Sequence, residues 1–253
     1  MSIQASGFHS NKEITTNTNS NVIFLKSGVT QVRVLPAYSE TGAWFREIQE
    51  IPLHDANGKF SPIVSPASVG DPCPFMQEGR RLYDLKGEEN IDRAKKFKPN
   101  RQFLFNVVVQ VLPEDAVNIV NCVKVLKCGI KVAKQIFDLD QDHSGGWGDI
   151  TNLEAGFDIR ITRSGKGLTT EYSVRGVPGR TNVTDWLETN GFNDTLAPHN
   201  LDAMYMPPSQ EEIMRRFDQF VTQLYGPVPV GSVPDLTAAT GSIETPNIPG
   251  NIA

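Results

Sequence analysis

The sequence predicts a mainly β fold: a small β-barrel with a loop-rich insertion, short helices and one longer C-terminal helix. Three observations predict it. Arg101–Leu112 alternates with the two-residue period of a strand. Phe157–Arg163 and Thr170–Gly176 alternate as well, joined by Ser164-Gly165-Lys166-Gly167, a hairpin composition. The strands follow one another through turns with one helix between them, which is not the order of a βαβ sheet.

Each element has its own justification. Residues 1–21 are rich in Asn, Thr and Ser without periodicity, the composition of a flexible arm. Residues 22–184 form the predicted core. Val32 and Val34 alternate with Arg33 in a first strand over Val29–Leu35, which Pro36 ends. Gly42–Ile48 is its partner. Pro62, Pro66, Gly70, Pro72 and Pro74 punctuate a loop-rich insertion, and Met76–Lys98 is charged and helix-permissive. In Arg101–Leu112, Phe103, Phe105, Val107, Val109 and Val111 share one face; Gln102, Leu104, Asn106 and Gln110 share the other. A turn at Pro113-Glu114-Asp115 leads to a strand over Asn118–Lys127, and Ile130, Ala133, Ile136 and Phe137 fit a short amphipathic helix. Residues 185–225 are an acidic, partly helical segment. Its helix runs from Ser209, a capping residue, to Leu224, with Ile213, Phe217, Phe220 and Leu224 as an apolar stripe. Residues 226–253, rich in Pro, Gly and Thr, form a mobile tail.

Composition bounds the function. The chain has 253 residues, a net charge of −5 and 39% hydrophobic residues, which suits one substantial domain with appendages or two small ones. No apolar run approaches a membrane span, and the N-terminus carries no secretory pattern, so a cytoplasmic protein is expected. Cys73, Cys122 and Cys128 encode neither a disulfide framework nor a zinc site. Residues 181–253 carry only Arg215 and Arg216 against nine acids, leaving a near-neutral body with local basic clusters that suit a polyanionic partner.

The densest chemical signal is Arg93–Phe105, where five basic residues without an acid run into aromatics. Single-stranded nucleic acid asks for this mixture: cations for phosphates and flat apolar rings for unpaired bases. Lys95, Lys96, Lys98 and Arg101 are the leading backbone candidates, followed by Arg33, Arg46, Lys127, Arg160, Arg163 and Arg175. Stacking candidates are Phe103, Trp44, Phe45, Phe97, Phe105 and Tyr172. A barrel interior would use Phe103 and Phe105 equally well. Asp138–Asp149 places acids at positions 1, 3, 5 and 12 of a calcium loop, but His143 replaces the required Gly and Asp149 the longer Glu, so an acidic surface loop is expected. His9, His54, His143 and His199 have no metal spacing, and no nucleophile elbow or phosphate loop occurs, so neither enzyme, metal nor cofactor is expected.

The order of these segments resembles the T4-type single-stranded DNA-binding (helix-destabilising) proteins of tailed bacteriophages. The similarity spans roughly residues 29–177. It is carried by Arg33-Val34-Leu35-Pro36, Asp71-Pro72-Cys73-Pro74, the basic run into Phe103–Val109 and Val125-Leu126-Lys127-Cys128-Gly129. Asp149-Ile150-Thr151, Glu154–Ile161, Gly165-Lys166-Gly167 and Tyr172-Ser173-Val174 complete it. The resemblance implies an OB-fold core that coats single-stranded DNA during phage replication, recombination and repair, in the host cytoplasm. It puts Phe103 first among the aromatics and implies replication or recombination partners at the C-terminal region. The zinc-binding Cys and His of that family are reduced here to Cys73, and its basic N-terminal arm to Lys12. Two other classes compete: a viral structural or scaffold β-protein, and a calcium-responsive module.

Overall fold

A computed structural model describes residues 21–37, 42–55, 57–113, 122–142, 145–192 and 196–226. The expectations for residues 1–20, Glu114-Asp115, 118–121, His143 and the tail beyond Gly226 lie outside the described residues. No helix among those described is long and apolar enough to cross a membrane. The chain divides into two compact units at Ser209/Gln210.

In the first unit, β1 (Val22–Phe24), β2 (Gly28–Val34), β3 (Phe45–Ile51) and β4 (Ile63–Val64) precede two helices, α1 (Pro74–Asp84) and α2 (Glu88–Lys96). Next come β5 (Asn100–Val111), β6 (Val123–Gly129), α3 (Ile130–Gln141), β7 (Gly156–Ser164), β8 (Glu171–Thr181) and α4 (Val183–Thr189). Pro74 opens α1 at a position where its missing N–H is no loss, so Asp71-Pro72-Cys73-Pro74 is a helix start. The second unit contains one described helix, α5 (Gln210–Tyr225), carrying the predicted stripe with Ile213 and Phe217.

The strands form one eight-stranded sheet in the order β1-β6-β5-β2-β7-β8, with β3 on β5 and β4 on β3. β1 runs parallel to β6 and every other pairing is antiparallel. β5 is central: β6 pairs one edge, while β3 (opposite residues 100–105) and β2 (opposite 107–111) share the other.

Two expectations are corrected here. The fold is mixed helix and sheet rather than mainly β, because the charged stretch after Met76 is a helical pair and α3 and α4 cover the sheet faces. The sheet is also open rather than a closed barrel: among the described residues β1 and β8 do not pair with each other. At the free edge of β8 a side chain replaces the missing strand. Gln135 of α3 accepts from the Val174 N–H at 3.0 Å and donates to the Tyr172 carbonyl at 3.4 Å.

Both faces of β5 are buried, so the alternation in its sequence separates two cores rather than core from solvent. One face carries Phe103, Phe105, Val107 and Val109, packed with Val32, Val34, Ile159, Ile161 and Val174 against Val132, Ala133 and Ile136 of α3. On the other, Leu104 and Val125 pack with Ile48, Val64 and Leu201. Val108 there packs with Leu35, Val123, Val183 and Leu187. The strap from Leu196 to Met206 is fastened over this second face by polar side chains. Asn106 donates to the His199 carbonyl and accepts its N–H, both at 2.9 Å.

Candidate nucleic-acid interface

The sequence offers ten cations and six aromatic rings as candidate contacts for one nucleic-acid strand; the structure divides them. Arg33 is fully buried in β2. Its Nε donates to Asp158 Oδ1 at 2.9 Å, and its other nitrogens reach the Asn152 carbonyl at 3.1 Å, the Thr181 carbonyl at 3.2 Å and the Thr181 hydroxyl. A Cβ at Gly156 would overlap the Asn152 carbonyl and press on this guanidinium, which explains the glycine. Burial lowers the pKa of Arg33 and Asp158 opposes that shift. Arg33 is therefore a buried tie between β2, β7 and β8, not a phosphate contact.

Arg46 is corrected for the same reason. Its guanidinium lies under the strap and donates to the carbonyls of Leu201 at 2.6 Å, Met204 at 2.8 Å and Asp202. Burial lowers its pKa and Asp202 opposes the shift. Five aromatic assignments change too. Phe103 is 2% exposed, and Phe97 and Phe105 are fully buried. Phe97 backs onto Gly79 inside the α1–α2 pair. Phe103 and Phe105 join Trp44, Phe45 and Phe137 in a ring cluster with centroids 4.7–6.3 Å apart. Trp44 and Phe45 are half-buried at its edge, so they belong to the core rather than to a free stacking platform.

The basic run is less bare than it reads, because folding supplies acids. Arg93 pairs with Glu89, Lys95 with Asp92 at 2.7 Å, and Arg101 with Glu47 across the β3–β5 ladder at 2.5 Å. Lys96 and Lys98 are exposed and make no salt bridge among the described residues. Arg160 and Arg175 stand directly opposite one another and exposed on the outer face of β7 and β8, where Arg160 donates to Gln31. Arg163 and Tyr172 occupy the inner face, with the guanidinium 6.0 Å from the ring centroid. Alternation along β7 sets these two groups apart.

Of the sequence candidates, Arg101, Lys127 and Tyr172 come together at the end of the sheet where β5 begins and β6 finishes. A depression of about 470 Å³ is lined there by Phe24, Asn100, Arg101, Gln102, Lys127, Lys131 and Tyr172, among others. A second, of about 390 Å³, shares Phe24, Asn100, Gln102 and Lys127 with it and extends past Glu50 to Phe60. Together they make a groove with two solvent-facing rings: Phe24 is 61% exposed and Phe60 58%. Tyr172 forms a third, half-buried wall. Lys127 sits 5.8 Å from the Phe24 centroid and 4.6 Å from that of Tyr205, and pairs with Glu50. Arg101 carries a second carboxylate, Glu47, whose hydrogen bond and charge raise the guanidinium pKa. α3 also starts in this groove. Its N-cap residue is Gly129, which has no side chain to satisfy the first-turn N–H groups, and the helix dipole adds partial positive charge.

Sequence reasoning missed Phe24, Phe60, Asn100, Gln102 and Lys131. The short apolar run Val22-Ile23-Phe24-Leu25, ending in Lys26, is a usable signal for the first of these. Phe60 has none, since an isolated bridge to His54 holds it. Three carboxylates of the acidic loop are meanwhile spent on its own backbone. Asp140 accepts from the Ile150 N–H, Asp142 from that of Gly145 at 2.7 Å, and Asp149 from that of Thr151 at 2.9 Å.

The groove pairs exposed rings with cations at one end of the sheet, the two kinds of group that a polyanion with flat bases would meet. The chain matches the family described as gp32 DNA binding protein like over residues 26–220. It belongs to the gp32-like DNA-binding family. The match covers the whole described sheet except its first strand and all helices but the end of α5. It bears out the resemblance read from Arg33-Val34-Leu35-Pro36 through Tyr172-Ser173-Val174. A search of curated proteins finds no match to the chain. As a gp32-like protein it binds DNA, and the groove between Phe60 and Tyr172 is the candidate contact surface.

Proposed function

We propose that this gp32-like chain is a non-catalytic coat for single-stranded DNA, bound largely without regard to sequence in the groove from Phe60 to Tyr172. The observation that carries this reading is the pair of exposed rings, Phe24 and Phe60, set beside Lys127 and Arg101. Each ring is free to stack on a base, and every base has a face to offer. In a duplex those faces are already stacked on one another, so the rings favour the unpaired strand.

Arg101, Lys127 and Lys131 line the groove and face the strand's phosphates there, and Lys98, exposed two residues before Asn100, adds a fourth cation. Arg101 exchanges the exposed carboxylate of Glu47 for phosphate when the strand enters, while Lys127, largely buried beside Glu50, keeps that pair and meets the strand from the groove floor. Neither step makes or breaks a covalent bond. Opening of duplex DNA follows from mass action, because a protein that binds one state pulls the equilibrium toward it. Coating in phage replication, recombination and repair, within the host cytoplasm and with replication or recombination proteins at the C-terminal region, is the setting this family membership suggests.

The test is a binding comparison of oligo-dT, the same length of duplex DNA and the matching RNA at one salt concentration, followed by an oligo-dT series from 50 to 200 mM salt. With about four phosphates neutralised at a slope near −0.7 each, affinity falls roughly 50-fold over that range. Preference for duplex, or affinity insensitive to salt, overturns the reading. Self-assembly without oligonucleotide affinity points instead to a viral structural protein.

A further inference from the structure

The hairpin that joins β7 to β8 carries a side chain that the groove does not explain. Leu168 is 107% exposed: its side chain touches nothing in the protein. Exposed leucines usually sit on loops that can move, but this tip is locked. Thr169 Oγ donates to the Lys166 carbonyl at 2.9 Å and Thr170 Oγ to that of Gly167 at 2.8 Å. The backbone N–H groups of Thr169 and Thr170 return to the same two carbonyls at 3.1 and 3.3 Å, closing the 3₁₀ helix at Gly167–Thr169. Gly165 turns the chain at φ +73°, and a Cβ there would overlap the Thr169 carbonyl. A local scaffold thus holds a bare aliphatic group in water.

Its place in the fold says what that group meets. The base of the hairpin is a wall of the groove: Arg163 lies opposite Tyr172, Tyr172 lines the groove, and Arg163 donates to the carbonyl of Leu25 on the neighbouring wall at 2.7 Å. Leu168 stands four positions before Tyr172, so chain geometry alone keeps the tip within about 14 Å of the groove wall. Lys166, exposed on the same tip, adds a cation beside the leucine. An apolar side chain with a cation next to it, carried on a rigid projection beside bound nucleic acid, suits entry between stacked bases, as apolar wedges do elsewhere.

We infer that Leu168 is a wedge that enters the base stack at the junction where the bound single strand meets duplex DNA, so that the hairpin tip assists strand separation while the groove supplies affinity. This rests on the single-stranded DNA reading above. The occupant is a terminal base pair of DNA. Lys166 meets the phosphate of the strand being displaced.

The experiment uses the full chain and two probes, oligo-dT and a short duplex bearing a single-stranded dT tail. Wild type is compared with Leu168→Ser and Leu168→Ile by fluorescence titration and by the protein concentration that opens half the tailed duplex. Because Leu168 has no neighbours, both variants keep the wild-type melting temperature. Leu168→Ser is expected to bind oligo-dT within 2-fold of wild type yet need at least 5-fold more protein to open the duplex, and Leu168→Ile to restore opening. Equal opening by Leu168→Ser and wild type overturns the wedge. So does a parallel loss of oligo-dT affinity, which makes Leu168 an ordinary groove contact. A change of sedimentation coefficient that tracks the loss also overturns it, by making Leu168 an interface between copies. If wild type itself does not bind oligo-dT, it is the single-stranded DNA reading that fails.

Discussion

Replacing Asp158 by Asn leaves the Arg33 guanidinium charged and fully buried without its counter-ion. Breaking a buried pair by removing one partner costs about 3–5 kcal/mol. The asparagine keeps an oxygen that can accept from Arg33 Nε, and the carbonyls of Asn152 and Thr181 remain in place at 3.1 and 3.2 Å. The loss therefore falls at the low end, about 3 kcal/mol. For a unit of this size each kcal/mol lowers the melting temperature by about 2–4 °C, giving a drop of roughly 6–12 °C. Thermal melts followed by circular dichroism read this directly, and oligo-dT titration well below the transition reads affinity. Arg33→Met should also lose stability, since it strands Asp158 with the Thr181 hydroxyl at 3.3 Å as its remaining side-chain partner. Neither variant should change affinity beyond 2-fold. If Asp158→Asn melts within 2 °C of wild type, or Arg33→Met keeps its stability while losing oligonucleotide affinity tenfold, then Arg33 reaches phosphate and its assignment as a buried tie is wrong.

Four further outcomes follow from the same geometry. Phe103→Ala should cost about 3–5 kcal/mol of stability in a denaturant titration and leave affinity unchanged at low temperature, because the ring fills the core beside α3. Phe24→Ala should do the reverse: an unchanged melt, with oligo-dT affinity weaker by about 1–3 kcal/mol if a base stacks on the ring. Arg101→Gln should flatten the salt dependence of oligo-dT affinity by about 0.7 in slope, whereas Arg175→Gln, on the outer face, should leave that slope alone. Burial pushes the Cys128 thiol from its ordinary value near 9 up to about 12. The fold thus holds it protonated where the unfolded chain would ionise, so this stability is intact below pH 9 and declines as pH rises from 9 toward 12. Urea melts at pH 8 and pH 10.5, compared with Cys128→Ser, measure that decline.

How much of this was legible in the sequence depends on what each signal measures. The period of Arg101–Leu112 located the central strand and separated its two faces correctly. It could not tell that both faces are covered, because the strap that buries Leu104 lies almost a hundred residues downstream and carries no periodicity of its own. The hairpin at Ser164–Gly167, α3 and α5 were readable from turn chemistry and apolar spacing alone. Closure of the barrel was not: it depends on the free edge of β8, and there Gln135 supplies bonds that a strand would have made. The site was half legible. A run of lysines and arginines marks charge, but residues far apart in sequence decide which cation is free. Glu47 takes Arg101, the carbonyls of the strap take Arg46, and Asp158 takes Arg33. Aromatic residues beside a basic run look like stacking platforms, yet in a strand with two buried faces they become core. The exposed rings came instead from a three-residue strand and an isolated bridge, elements too short to announce themselves.

Photo-crosslinking of bromodeoxyuridine-substituted single-stranded DNA to the intact chain, with the attached residues mapped by mass spectrometry, puts the groove to the sharpest trial. Adducts should concentrate on Phe24, Phe60 and Tyr172 and disappear when excess oligo-dT competes. Adducts confined to the outer face around Arg160 and Arg175, or to α1 and α2, would place the DNA elsewhere and leave the groove without a ligand.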